Sequence, residues 1–131
     1  MEYNRCITNK QAYIVGFVIG DGNLSRADYL IRMYDSDQVF ASMILVPTFQ
    51  DAFGLTPKVT YDQHTNGYVI YASSKHVWRM LLELGIPAGA KAKTVRIPAV
   101  IEQGTTTVRA AYLAAFFDAE GSIGCIMDPK R

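Results

Sequence analysis

The chain has 131 residues, half of them hydrophobic and 19% charged, a composition that suits one globular domain and excludes a disordered chain. No apolar run approaches the ~18 residues of a membrane span. No secretory leader opens the sequence, so an intracellular protein is the expectation, and Cys6 and Cys125 are too few and too far apart for a disulfide scaffold or zinc knuckle. The net charge of +1 conceals an asymmetry: residues 55–100 carry six basic groups and two acids, +4 against −3 elsewhere. That fits a polyanion partner and equally fits ordinary solvated surface.

In chain order, the first element is Ala12–Leu24, AYIVGFVIGDGNL, an apolar helix with no polar face that should be buried nearly all round. Gly22 follows Asp21 where a helix end often takes a residue at positive φ. Asn23 to Asp35 alternates about a turn near Ala27–Asp28, with Ile31 and Met33 on one face and Arg32 and Tyr34 on the other. Ser36 to Phe53 reads as a helix with apolar positions Val39, Phe40, Met43 and Ile44, kinked or ended early by Pro47. Gly54 and Pro57 mark a loop. Lys58 to Ser73 is a hairpin turning at Asn66-Gly67. Ser74 caps a helix that carries Val77, Trp78, Leu81 and Leu84 and stops at Gly85. A loop, a short extended piece and a turn then lead to a last helix.

That last helix repeats the first. Ala111–Ile123, AYLAAFFDAEGSI, matches Ala12–Leu24 at an offset of 99 residues, with four of 13 positions identical and most others conservative. Small residues fall four apart in both copies, Gly16 and Gly20, then Ala115 and Ala119, so each helix has a face that admits a second backbone. If the two faces pack with the same polarity, Asp21 and Glu120 lie side by side at two negative helix ends. Two such carboxylates are costly together unless a cation neutralises them, and Mg²⁺ is the natural candidate. A metal between carboxylates beside a basic hairpin surface suggests phosphodiester hydrolysis; the same acids also fit polar helix ends facing water. Aromatic residues Tyr13, Phe17, Trp78, Tyr112, Phe116 and Phe117 read as core, Asp118 as structural, and the cysteines as small buried hydrophobes.

The two segments closely resemble the paired signature of LAGLIDADG homing endonucleases, aligned on residues 14–22 and 113–121. Ser73–Pro87 and Lys91–Pro98 are similar to stretches found in archaeal and intein-borne members. The resemblance implies an α+β fold, αββαββα, with an antiparallel DNA-binding saddle built from residues 23–35 and 57–73. It implies a first half-domain over residues 1–110, with residues 111–131 supplying the signature helix and start of a second. It implies a site-specific double-strand DNA endonuclease, encoded in an intron or intein. In it Asp21 and Glu120 are catalytic and, with Gly20 and Ala119, hold Mg²⁺ or another divalent ion such as Mn²⁺ or Ca²⁺. Gly16, Gly20, Ala115 and Ala119 form the helix interface. Strand parity then turns Arg32, Tyr34, Lys58, Thr60 and Tyr71 toward the major groove, while Ser25, Arg26, Gln63, His64 and Lys75 reach DNA from turns and a helix start.

Two features depart from that pattern. Only ten residues follow Gly121, too few for a second saddle, so the chain is expected to self-associate or to need a partner half. Asp35, Asp37 and Asp62 lie in or near the DNA face, and no catalytic lysine carries over. A member that binds DNA, or serves as an RNA maturase, without cutting therefore stays open beside the endonuclease, as does an α/β domain whose repeated helices only build a dimer interface.

Overall fold

The computed structural model describes residues 7–89 and 97–119. Helix α1, Asn9–Asp21, opens on a reciprocal cap: the Thr8 hydroxyl accepts the Gln11 N–H at 3.0 Å, and the Gln11 side-chain oxygen accepts the Thr8 N–H at 3.0 Å. Its residues Ala12 and Ile14–Ile19 are buried, so α1 is the central helix its all-round apolar sequence demands. The helix runs straight into strand β1, Gly22–Leu24, and Gly22 is extended at φ −162°. The glycine expected to serve a positive-φ cap has a different task. A Cβ there would collide with the Arg32 carbonyl oxygen and lie 3.1 Å from Val18 Cα, so only glycine lets strand and helix approach this closely.

Strand β1 pairs antiparallel with β2, Leu30–Asp35; β2 pairs with β4, Gly67–Ser73; and β4 pairs with β3, Lys58–Asp62. The sheet order is β1-β2-β4-β3, with β2 and β4 interior and β1 and β3 at the edges. Leu24, Ile31, Met33, Ile70 and Ala72 are buried on the inner face, the alternation the sequence shows. The β1–β2 turn is pinned from outside. The Trp78 indole N–H donates to the Ser25 carbonyl at 2.9 Å, and its ring meets Tyr29 edge-on at 5.2 Å.

The helical region between β2 and β3 corrects the expectation for Ser36–Phe53. Asp37 caps α2, Gln38–Phe40, by accepting the Val39 and Phe40 N–H groups. A π-helical stretch, Ala41–Leu45, follows and passes without interruption into α3, Val46–Phe53. Pro47 neither ends nor breaks the helix. Its ring would crowd the carbonyl four residues back, and the turn before it is widened, with the Val46 N–H bonded to the Ala41 carbonyl. The buried line is Ala41, Leu45 and Phe49, while Val39 and Met43 are each 67% exposed and Ile44 also faces out. Of the four apolar positions read from the sequence only Phe40 turns inward, stacked on Phe17 at 6.0 Å.

Ser74 caps α4, Lys75–Glu83, and Val77, Trp78, Leu81 and Leu84 are buried as the periodicity requires. A short α5, Ala99–Glu102, precedes α6, Thr106–Ala119, whose first turn is closed by the Thr105 hydroxyl accepting the Val108 N–H at 3.2 Å. The helix thus begins five residues before the repeat does. It is not buried all round: Val108, Tyr112 and Ala115 are covered by α1, whereas Leu113 is 44% and Phe117 62% exposed. Phe117 is therefore not core, while Phe116 packs half-buried against it. Cys6, Cys125 and the loop lysines Lys91 and Lys93 lie outside the described residues. None of the described helices is long and apolar enough to cross a membrane.

Candidate active site and nucleic-acid interface

The site begins with the α1–α6 contact. A Cβ on Gly16 would stand 2.5 Å from the Tyr112 carbonyl oxygen and 3.2 Å from Ala115 Cβ; one on Gly20 would stand 2.8 Å from Ala119 Cβ. Carbon atoms in ordinary contact sit about 3.5–4.0 Å apart, so the two helices meet as closely as backbones allow. Gly16 faces Ala115 and, one turn on, Gly20 faces Ala119. The order is the same in both helices, so they run with the same polarity and their C-terminal ends lie together. The two small-residue faces thus make the interface that their spacing suggests.

Asp21, at the end of α1, and Asp118 with Ala119, at the end of α6, line one open cavity of about 570 Å³. Tyr34, Asp35 and Ser36 from the end of β2 complete it, with Asp62, Thr65, Gly67 and Tyr68 from the β3–β4 hairpin. Among the described residues, four carboxylates and no basic side chain line it. Asp118 is tied to α1, because the Tyr13 hydroxyl donates to its Oδ2 at 2.7 Å. Burial, then that hydrogen bond and the nearby negative charge, pushes the Tyr13 hydroxyl far above its ordinary value. Burial also raises the Asp35 carboxyl above the usual carboxylate range; the Asp37 N–H, donated at 2.8 Å, opposes the shift, and the charges of Asp37 and Asp118 add to it. Asp35 has the inward parity of β2, so it belongs to this cavity and not to the outer face where the sequence suggested a conflict. Its membership and that of Asp118 follow from the helix pairing, which the local sequence does not carry.

The sequence-derived site residues separate into groups. Glu120 lies outside the described residues, so of the two motif acids the structure positions Asp21. Among the described residues no cluster of three or more His, Cys, Asp or Glu could hold a metal by itself. Arg32, Tyr34, Lys58, Thr60 and Tyr71 share the outer face of the sheet. The registers align Asn23, Arg32, Tyr71 and Lys58 in one row across all four strands, and Tyr34, Val69 and Thr60 in the next. Gln63 and His64 are exposed in the hairpin turn at the Asp21 end of the sheet. Ser25, Arg26 and Lys75 lie at the opposite end, where Arg26 donates to the Ala88 carbonyl at 3.3 Å and the Lys75 ammonium sits 5.8 Å from the centre of the Tyr29 ring. The six residues of β2 separate the two ends by ~17 Å at ~3.3 Å per residue. Asn23, which no motif or parity signal marks, stands in the first row and is hydrogen-bonded to both Arg32 and Tyr34.

No family model matches the chain. Among solved structures it is similar to the homing endonuclease I-DmoI. A structure of mesophilic I-DmoI variants matches at a TM-score of 0.64 and 14% identity, covering 86% of this chain and 58% of that one. I-DmoI in complex with DNA and Ca matches at 0.58 and 15%, covering 86% and 57%, and its complex with DNA and Mn at 0.60 and 15%, covering 85% and 61%. The chain has the fold of a LAGLIDADG homing-endonuclease half, a mixed helix and strand domain around a four-stranded antiparallel sheet. It spans about three-fifths of the length of the structures it matches.

Proposed function

We propose, from that fold, that the chain is the DNA-reading and metal-holding part of a site-specific double-strand DNA endonuclease of the LAGLIDADG homing type. The observation that supports this most is the same-polarity packing of α1 and α6. It sets Asp21 beside Ala119 at the mouth of an acidic cavity, under one end of a sheet whose outer face carries Arg32 and Lys58.

The donor set fits a hard divalent cation such as Mg²⁺, Mn²⁺ or Ca²⁺: among the described residues, the charged groups lining the cavity are all carboxylates. We assign Asp21 and Glu120 as its protein ligands, with the carbonyls of Gly20 and Ala119, which belong to final helical turns where carbonyls lack intrahelical partners. When bound, the ion supplies an acidified water and neutralises charge developing on the phosphodiester. Asp21 would help to hold the ion and would orient an attacking water toward the scissile phosphate. The Gly20–Ala119 contact sets how closely the ends of α1 and α6 approach, and Tyr13 holds Asp118 and α6 in register with α1.

The sheet supplies binding. Arg32, Tyr34 and Tyr71, on interior strands, face the floor of a major groove. Lys58 and Thr60 on edge strand β3, and Ser25, Arg26 and Lys75 at the far end, lie nearer the phosphate rails. Strand β2 spans ~17 Å, or about five base pairs at 3.4 Å each. A pool of randomised duplexes tests the proposal. Binding should fall steeply with salt, cleavage should require Mg²⁺ or Mn²⁺ and stop with EDTA, and Asp21→Asn should abolish cleavage while retaining binding. Absence of salt-dependent DNA binding would refute it. A second reading, a partial member that binds DNA or acts as an RNA maturase without cutting, is favoured by the lack, among the described residues, of a cluster of three metal-ligating side chains; it yields binding without cleavage in the same assay.

A further inference from the structure

We infer that Asn23 is a positioning residue for sequence readout, holding the Arg32 guanidinium against a guanine about three base pairs from the Asp35 end of the acidic cavity. This rests on the proposed DNA-binding face and extends it to one base. Asn23 and Arg32 are direct partners across β1 and β2. The Asn23 amide is used at both ends: its Oδ1 accepts from Arg32 Nη1 at 3.1 Å, and its Nδ2 donates to the Tyr34 hydroxyl at 3.3 Å. Both bonds are partly buried.

A free arginine on a sheet sweeps a wide volume and reaches phosphates and bases alike. Arg32 is held on its β1 side by one Nη1 bond, and among the described residues the rest of its five-donor fork meets no further hydrogen-bond partner. Strand β2 is interior, flanked by β1 and β4, so the space above Arg32 is the groove floor and not a phosphate rail. On that floor the two adjacent acceptors that match the fork are guanine O6 and N7. Adenine sets an amino donor beside N7, and thymine offers one acceptor beside a methyl. Holding the side chain before contact lowers the ordering cost of the complex, which sharpens discrimination at that base without adding a contact. The position follows from the strand: Arg32 is three residues from Asp35 at the cavity, ~10 Å at ~3.3 Å per residue, or about three base pairs.

The test compares motifs selected from a randomised duplex pool by the wild-type chain and four variants. The wild type should enrich guanine at one position. Arg32→Ala should lose that preference by about 5- to 150-fold, the range for a lost bidentate contact. Asn23→Ala should lose about fivefold or more at the same position, with the other positions and the salt slope unchanged. Tyr34→Phe, which leaves Asn23 Nδ2 without its partner, should loosen the same base by a smaller factor. Asn23→Asp, which keeps an acceptor for Arg32, should retain the guanine while binding weakens uniformly. The inference is overturned if Asn23→Ala leaves the guanine preference intact, or if the base lost in Arg32→Ala is not guanine. A pool that shows no salt-dependent binding removes the DNA-binding proposal and this inference together, whereas an intact motif in Asn23→Ala removes this inference alone.

Discussion

Exchanging the small residues of the α1–α6 contact should separate a packed helix pair from a merely adjacent one. In Gly20→Ala the new methyl stands 2.8 Å from Ala119 Cβ, against an ordinary 3.5–4.0 Å, so the helices must part there by about 1 Å. Overpacking of this kind costs about 1–3 kcal/mol, and the gain in helix propensity returns about 1 kcal/mol. The net expectation is a loss of up to ~2 kcal/mol. Adding Ala119→Gly moves the methyl from one helix to the other; the nearest remaining atoms, on Phe116, are then 3.5 Å away, and the double variant should recover most of the loss. Gly16→Ala should behave differently, because its methyl meets the Tyr112 backbone carbonyl at 2.5 Å, and Ala115→Gly removes only a 3.2 Å contact. A double-mutant cycle read from urea unfolding should therefore give a coupling of about 1–2 kcal/mol at 20/119 and little at 16/115. A misplacement near 1 Å at the acids should also slow any metal-dependent cleavage by Gly20→Ala about 10²-fold. If Gly16→Ala proved as stable as the wild type or more so, propensity alone would be governing, and the close approach inferred for the two helices would be wrong.

Three further outcomes are expected. Lys58→Ala, on the edge strand, should weaken DNA binding uniformly across sequences and reduce the salt slope by about 1, whereas Arg32→Ala should change which sequences are selected; identical profiles for the two would contradict the division into rail and floor. Asp35 has a carboxyl raised above its ordinary value, so its protonation favours the fold, and its contribution is lost as pH rises from the usual carboxylate range through the raised value. Asp35→Asn keeps an acceptor for the Asp37 N–H and should be more stable than wild type at neutral pH, with the difference shrinking in acid; a variant less stable at pH 7 would reverse the assignment. Phe117 and Leu113 lie one turn apart and exposed on α6, and burying a phenylalanine is worth about 1.5–3 kcal/mol. The chain should accordingly self-associate at micromolar concentration and Phe117→Ser should reduce this; sedimentation equilibrium showing a wild-type monomer throughout would contradict it.

Much of the architecture was written in local pattern. The 99-residue repeat announced two like helices, and small residues four apart marked their contact faces. Alternation divided Ile31 and Met33 from Arg32 and Tyr34, and Ser74 placed the start of α4. These features are short-range: parity along a strand and the turn of a helix fix which side chains share a face before any partner is chosen.

What depends on a partner was not written there. Residues 110–117 of α6 are apolar on every side, so the sequence cannot say which side is covered; the position of α1 decided that Tyr112 is buried and Phe117 is not. Gly22 looked like a cap because helix ends favour glycine, but its reason is the Arg32 carbonyl, brought up by β2 pairing. The π-helical turn at Ala41–Leu45 moved the buried line to Ala41, Leu45 and Phe49, away from four apolar residues spaced for a regular helix. The acidic cavity exists only because two helices 99 residues apart run with the same polarity beneath the end of the sheet. Sequence periodicity sets what each element can bury, and the meeting of distant elements selects which of those options is used.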